Sequence, residues 1–168
     1  PDVSSAASDV YKRQNSITIH LREDRRHIRD KDVAILSKIK RVPINLEMAA
    51  NNEMLKIALK YKPNFVCIVP EKRNEITTEG GLNITKNKKI IKKVINKLNS
   101  KKIRTSLFIN PNIKDVFASK ELNAKCVELH TGKFALKVKN NKNYLVEFKK
   151  IKNCAALAKK LGMEVHVG

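Results

Sequence analysis

Titratable side chains crowd the region that follows the first apolar segment of the chain. Residues 15–32 begin with a short run of alternating apolar residues, and His20, Arg22 and His27 follow it among further arginines and acids. Arginine presents a fork of donors that matches phosphate oxygens, and histidine titrates near neutral pH. This composition suits a phosphorylated substrate that undergoes proton transfer, and it indicates an active-site edge more than a simple connection.

Strand-like and helical patterns alternate along the chain after residue 15. This alternation predicts an α/β fold that is built around a parallel sheet. The predicted strands are 17–21, 44–48, 65–69, 105–109, 126–129 and 163–167. The helices predicted between them cover about 31–41 behind Asp30, a segment capped by Asn51, 84–101, a segment that starts at Asn110 and Pro111, and 143–161.

Polar residues follow successive predicted strands at their C-terminal ends. These residues are His20, Glu47, Glu71, Asn110 and His130. A TIM barrel gathers residues from many strand ends onto one face, whereas an open doubly wound sheet focuses its ligand at one switch point. The sequence also has no Gly-rich dinucleotide loop after a strand, so it favours the barrel. Because a barrel of eight units needs about 250 residues, we expect an incomplete barrel with about six of eight strands.

The chain divides by composition into two parts of unequal length. Residues 1–14 lack the Lys, Asn and Ile bias of the remainder and show no apolar period, so we expect a non-native or disordered segment. Residues 15–168 are predicted to form the partial barrel domain.

The charge and amino-acid composition of the chain restrict which binding partners and which cellular compartment we expect. The net charge of +20 invites a nucleic-acid interpretation, but most basic residues are lysines that fall on polar helix faces, so no specific nucleic-acid partner is expected. No apolar run is long enough for a membrane span, and no signal peptide is visible. The three cysteines form no CxxC pair, which indicates reduced thiols, a cytoplasmic protein and no zinc site.

Four motifs resemble those of the pyridoxine 5'-phosphate synthase family, TIM-barrel enzymes that close the pyridine ring of vitamin B6. The motifs are ITIHLREDRRHIRDKDV, NLEMAA, VPEKRNEITTEGGL and VELHTG, in that order. The resemblance covers residues 15–168. It implies a ring-closing synthase, a transferase that condenses 1-deoxy-D-xylulose 5-phosphate with 3-amino-2-oxopropyl phosphate. It further implies that no metal or organic cofactor is needed and that the full-length protein is a homo-oligomer, an octamer in this family.

The resemblance also assigns roles to individual residues. His20 falls on a catalytic proton acceptor, and Glu47 falls on a second catalytic acid/base. Arg22 and His27 fall on ligands of the xylulose phosphate, and Thr77 falls on another contact to that substrate. From the residues alone, we favour a structural interpretation of Glu47, as a carboxylate that is paired with a neighbouring cation.

Three further features of the sequence have two interpretations each. Glu128 and His130 lie two apart on one strand, so they either line the barrel behind the site or form a structural pair. His166 either points into the barrel or is a satisfied strand histidine, which we favour. Residues 71–81 form either a mobile lid over the substrate or a solvated surface loop.

Some elements of the family pattern are absent from this sequence. They include the polar groups of the first strand, the Gly-His-Gly motif after the seventh strand and the second phosphate site. We therefore expect the native protein to be an enzyme, and the chain as written to be inactive and prone to association through open sheet edges. The alternative is a basic α/β module that binds RNA or another polyanion without catalysis, which salt-sensitive RNA binding would support.

Overall fold

Strands and helices alternate along the computed structural model, which describes residues 16–39, 41–71 and 80–168. The strands are β1 Ile17–His20, β2 Ile44–Met48, β3 Phe65–Ile68, β4 Arg104–Ile109, β5 Cys126–Leu129 and β6 Glu164–Val167. The helices are α1 Asp30–Leu36, α2 Asn52–Tyr61, α3 Ile84–Ser100, α4 Ile113–Glu121, α5 Gly132–Lys139 and α6 Leu145–Lys160. The prediction for residues 1–14 lies outside the described residues.

The strands form one parallel sheet in the order β1-β2-β3-β4-β5-β6. This arrangement confirms the prediction of six adjacent parallel strands in chain order, and the observed bounds agree with the predicted ones to within one residue. Ile17 pairs with Ile44 at the start of the sheet, and Leu129 pairs with Val167 at its end. Within the described ranges, β1 and β6 each pair with a strand on one side only.

The outer face of the sheet and the helices enclose the hydrophobic core. Because side chains alternate between the two faces of a strand, Leu46, Ile68 and Leu107 all point to the helix side and are completely buried. Helix α3 contributes Ile91 and Ile95 to the same cluster. On its opposite side α3 exposes a row of lysines, namely Lys86, Lys88, Lys89, Lys92, Lys93 and Lys97. The predicted solvation of the lysine faces therefore holds for this helix.

The inner face of the sheet is polar. Asn45 donates to the Thr18 hydroxyl at 3.2 Å across the first strand pair. The Arg104 guanidinium lies over the Phe65 ring at 4.4 Å from the centroid and forms an ion pair with Glu164. Paired polar and cation–π contacts of this kind allow charged groups to remain on a partly enclosed face.

Three local predictions require correction. Helix α4 is capped by Asn112, whose side chain accepts the Lys114 N–H, and not by Asn110. The Asn110 side chain is instead occupied by the Gly81 N–H at 2.9 Å. Helix α1 is shorter than predicted and begins at Asp30, which was expected to be its cap. Helix α5, which is eight residues long and buries no residue, was not predicted.

Helix α6 is held against α5 by charge as well as by aromatic packing. Glu147 is 8% exposed and accepts from Lys137 at 3.4 Å and from Lys150 at 3.3 Å. The Phe134 ring meets the Tyr144 ring edge-on at 5.5 Å.

In the part of the chain that the structure describes, no helix combines the length and the apolar character that a membrane crossing requires.

Truncation of a buried core side chain is predicted to destabilise the protein. Leu107→Ala removes a completely buried side chain from β4, and should lower the free energy of unfolding by about 2–5 kcal/mol. Urea denaturation measures this change. Ile35→Ala is the matched control, because Ile35 is 61% exposed on α1, and it should change the free energy by less than about 0.5 kcal/mol. Equal losses in both variants would show that the helix side of the sheet is not the core.

Candidate active site

The C-terminal ends of β1 and β2 bring an imidazole and a carboxylate together. His20 and Glu47 are register partners on adjacent parallel strands, so their side chains project from the same face of the sheet. His20 Nδ1 lies 4.0 Å from Glu47 Oε2, and the two side chains are 33% and 25% exposed. This spacing allows a proton to move between either group and a reacting atom placed beside them.

A second carboxylate holds the other side of the His20 ring. Glu71 follows β3, and its Oε1 lies 3.1 Å from His20 Nε2. The other oxygen of the same carboxylate accepts the Glu23 N–H at 2.7 Å. The sequence placed Glu71 at a strand end and in a loop but assigned no contact to it, because the residues that it joins are remote in the chain.

A cavity of about 240 Å³ opens over these side chains. It is lined by His20, Glu47, Val69, Pro70, Gly80, Phe108 and Glu128. Glu128 enters from β5, where its Oε2 lies 3.7 Å from Cys67 Sγ. The cavity therefore combines one imidazole and two carboxylates with an apolar wall, which is a suitable environment for acid/base chemistry on a small molecule.

Electrostatics distinguish Glu47 from an ordinary surface acid. Burial raises the pKa of the Glu47 carboxyl above its usual value, and the negative charge of Glu128 raises it further, while His20 acts in the opposite direction. Loss of water and a like charge both disfavour the ionised form. Glu47 can therefore hold a proton at a higher pH than an exposed glutamate and can donate as well as accept.

A larger polar cavity continues along the inner face of the sheet. Its volume is about 420 Å³. It is lined by Ser16, Thr18, Asn45, Glu47, Phe65, Arg104, Ser106, Glu128, His166 and Val167. His166 is the register partner of Glu128, and it lines this cavity on the inner side of the sheet. Glu47 and Glu128 line both cavities, so the site is continuous with the polar interior.

His130 lies beside the site on a different wall. Its ring is tilted at 56° to the Phe108 ring, with 5.0 Å between centroids. A Cβ on Gly80 would come within 2.7 Å of His130 Nε2, and the φ of Gly80 is +103°. Glycine is required at residue 80 on both grounds, because a larger residue would be strained and would collide with the imidazole.

The predicted phosphate ligands lie on the loop between β1 and α1. Arg22 donates to both carboxylate oxygens of Asp24 at 2.9 and 2.8 Å, and hydrogen bonds from Arg22 and the Arg26 backbone lower the pKa of Asp24. His27 is exposed. Neither Arg22 nor His27 lines the cavity that holds His20, and Thr77 lies outside the described residues.

The structure thus gathers some of the predicted site residues. His20, Glu47 and Glu128 share one cavity, and His130 lies beside it.

The part of the chain that the structure describes contains no group of three His, Cys, Asp or Glu side chains that could hold a metal ion. Burial also raises the pKa of the Cys67 thiol well above its usual value, so this cysteine is a poor nucleophile.

Comparison with known proteins identifies relatives over the whole chain. A family model described as "Pyridoxal phosphate biosynthesis protein PdxJ" matches residues 1–168. A protein of Pelagibacter ubique (strain HTCC1062) named pyridoxine 5'-phosphate synthase is 58% identical over 169 residues, which cover 100% of this chain and 71% of the relative. A protein of the same name from Prochlorococcus marinus (strain MIT 9211) is 49% identical over 92% of this chain and 63% of its own length.

A solved structure with a related fold is the YdjI aldolase from Escherichia coli K12. It matches with a TM-score of 0.52 at 7% sequence identity, over 91% of this chain and 64% of that chain. At this identity the likeness concerns the fold alone. Together with the six parallel strands and their helices, it confirms the predicted α/β fold as part of a TIM barrel.

The environment of Glu47 predicts a pH-dependent effect on stability. Because the folded state binds the Glu47 proton more tightly than the unfolded chain does, ionisation of this residue weakens folding as the pH rises through its folded-state pKa. Glu47→Gln removes this ionisation, so the variant should have a higher Tm than the unmodified chain at about pH 8. The difference should vanish below the ordinary pKa of 4.5.

Thermal unfolding followed by circular dichroism over this pH range measures the effect of the Glu47 substitution. Glu121→Gln serves as the control, because Glu121 is an exposed carboxylate on α4 that pairs with Lys88. A Glu47→Gln variant that is less stable than the unmodified chain at the higher pH would contradict the electrostatic argument.

Proposed function

Because this chain belongs to the family described as pyridoxal phosphate biosynthesis protein PdxJ, we propose that it performs the pyridoxine 5'-phosphate synthase reaction. In this proposal, 1-deoxy-D-xylulose 5-phosphate condenses with 3-amino-2-oxopropyl phosphate, and pyridoxine 5'-phosphate, inorganic phosphate and water are released. The observation that carries the proposal is the placement of His20 and Glu47 at 4.0 Å across adjacent strand ends, in a cavity that also contains Glu128.

The reaction requires several proton transfers, and the cavity contains groups that can perform them. Imine formation, enolisation, loss of phosphate and loss of water each move a proton on or off carbon, nitrogen or oxygen. A positioned acid/base group contributes about 10²–10⁴-fold to such a step. His20 acts in the proposal as a proton acceptor and Glu47 as a second acid/base, which agrees with the roles that the family resemblance implies.

Glu47 has the property that a two-way proton carrier needs. Its raised pKa brings the protonated and ionised forms closer in population near neutral pH than in an exposed glutamate. The same carboxyl can therefore give a proton to a leaving hydroxyl and take one from carbon in a later step. Glu128 supports this behaviour, because its charge is one of the causes of the shift.

Phosphate recognition is assigned in the proposal to the loop after β1. Arg22 donates two hydrogen bonds to Asp24, and the Arg22 side chain is 39% exposed. A phosphate group presents the same pair of oxygens to the guanidinium as a carboxylate does, so a substrate phosphate can replace Asp24 as its partner. His27 and Thr77 complete the proposed contacts, and the net charge of +20 favours the approach of phosphorylated molecules.

The proposal includes a cellular setting and an assembly state. Phosphorylated substrates of this size do not cross membranes unaided, so we place the reaction in the cytoplasm.

We also propose self-association, as the family resemblance implies. Exposed large apolar side chains on two helices that pack against each other support it, because exposed apolar surface on soluble proteins marks interaction sites. They include Phe117 on α4 and Leu145 and Phe148 on α6. Light scattering of the purified protein measures this property.

An activity assay tests the proposed reaction. The chain covers 71% of the Pelagibacter ubique relative, so the test protein is this chain extended with the segments of that relative outside the aligned region. We expect it to convert the two substrates into pyridoxine 5'-phosphate and one equivalent of inorganic phosphate, both measured by mass spectrometry and phosphate release. The chain as given is assayed in parallel, which tests the prediction that it is inactive by itself. Salt-sensitive RNA binding without any product would favour the polyanion-binding alternative.

A substitution at Glu47 separates proton transfer from binding. Glu47→Gln in the extended protein keeps the size of the side chain and removes its acid/base function, so turnover should fall by about 10²–10⁴-fold. Binding of the xylulose phosphate, followed by calorimetry, should persist because Arg22 and His27 are unchanged. Glu121→Gln on the exposed side of α4 should retain full turnover. Near-normal turnover in the Glu47 variant would show that Glu47 has a structural role.

A further inference from the structure

We propose that Glu71 is the positioning residue for His20, and that it fixes which ring nitrogen of His20 faces the reacting atoms. This inference rests on the proposed function, because it gives His20 the role of proton acceptor. It goes beyond the family resemblance, which implies no role for Glu71, and it is carried by contacts within the described residues.

Two hydrogen bonds place the Glu71 carboxylate between two segments of the chain. Oε1 meets His20 Nε2 at 3.1 Å, and Oε2 accepts the Glu23 backbone N–H at 2.7 Å. The Glu71 side chain is 7% exposed. A carboxylate that is shielded from water and accepts a short hydrogen bond from a backbone N–H is held in one orientation, since moving it would break that hydrogen bond.

The surrounding contacts fix the loop that carries Glu23. The Glu23 side chain accepts from Asn51 Nδ2 at 2.6 Å, while Asn51 Oδ1 caps α2 by accepting the Met54 N–H. The loop after β1, the end of β3 and the start of α2 are therefore linked through consecutive hydrogen bonds. Within this linkage, Glu71 contacts the His20 ring.

The chemistry of the two groups determines the position of the proton. An ionised carboxylate only accepts hydrogen bonds, so the His20 nitrogen beside Glu71 must carry the hydrogen. In a neutral ring Nε2 is then the donor, and Nδ1 keeps its lone pair. Nδ1 is the nitrogen that lies 4.0 Å from Glu47 Oε2. Glu71 therefore presents the basic nitrogen of His20 toward Glu47 and the cavity.

Removal of the Glu71 carboxylate should reverse this preference. Glu47 would still lie beside the ring, on the Nδ1 side. The proton of the neutral imidazole should move toward Nδ1, so that the basic nitrogen would point away from the cavity. The fold should persist, because Glu71 follows a strand end and its side chain is not part of the hydrophobic core.

Nuclear magnetic resonance of the 168-residue chain tests the inference directly. With ¹⁵N-labelled histidine at about pH 9, where imidazoles are neutral, long-range ¹H–¹⁵N spectra report which nitrogen of each ring is protonated. We expect His20 to carry its proton on Nε2 in the unmodified chain. In Glu71→Ala the Nδ1–H population of His20 should rise several-fold, while His130 and His166 remain unchanged. Glu121→Ala is the matched control and should leave all rings unchanged.

Two results would overturn the inference. One is an unmodified chain in which His20 carries its proton on Nδ1, and the other is a Glu71→Ala variant with the same tautomer populations as the unmodified chain. If Glu71→Ala does not fold by circular dichroism, Glu71→Gln decides. The glutamine side chain has the same size but one oxygen acceptor to share between His20 and the Glu23 N–H. An intermediate tautomer population is therefore expected, and an unchanged population would refute the role.

Kinetics of the extended protein distinguish this inference from the proposed function. Glu71→Ala should lower kcat by about 10–100-fold, the order of effect known for losing the hydrogen-bond partner that orients a metal-bound histidine. The KM for the xylulose phosphate should change much less, because its proposed ligands are unaltered. If the unmodified extended protein forms no product, the proposed function fails, yet the tautomer measurement still decides the role of Glu71.

Discussion

The parallel register of the six strands is the constraint on which the rest of the structure depends. The period of two along each strand sends Leu46 and Leu107 to the helices and sends Glu47 and Glu128 to the inner face. A slip of one residue in any strand would exchange these two sets, burying carboxylates under helices and exposing leucines. The free energy gained by burying the apolar side chains therefore also fixes the geometry of the site, because the same strand register positions the side chains of both faces.

This division explains how a strongly basic chain keeps a cluster of acids in its interior. Most positive charge lies on exposed lysines such as those of α3, whereas Glu47, Glu71 and Glu128 converge near His20 from three different strands. Strand ends in a parallel sheet are the natural place for this convergence. In the proposed function, the outer charge attracts phosphorylated molecules and the inner acids transfer protons, so the two roles are separated in space.

Much of the fold and part of the site could be predicted from the sequence, because the signals are local. The six strands follow from short apolar runs. His20 and Glu47 were noted because polar residues directly end such runs, but their catalytic roles were inferred from the family resemblance. The contact of Glu71 with His20 joins residues 51 positions apart, and no local pattern encodes it. The cap of α4 was predicted wrongly for a similar reason, since Asn110 is engaged by Gly81 from a remote segment, leaving Asn112 to cap the helix.

The position of His20 shows how a remote contact completes a local signal. Strand β1 fixes the backbone position of His20, and the register with β2 fixes the distance of its ring from Glu47. Neither determines which ring nitrogen faces the cavity. A neutral imidazole has one N–H and one basic nitrogen, and a hydrogen-bond partner on one edge selects which nitrogen is the basic one. Glu71 provides that partner from the end of β3. Three consecutive strands of one sheet thus define the position, the neighbour and the protonation of a single side chain.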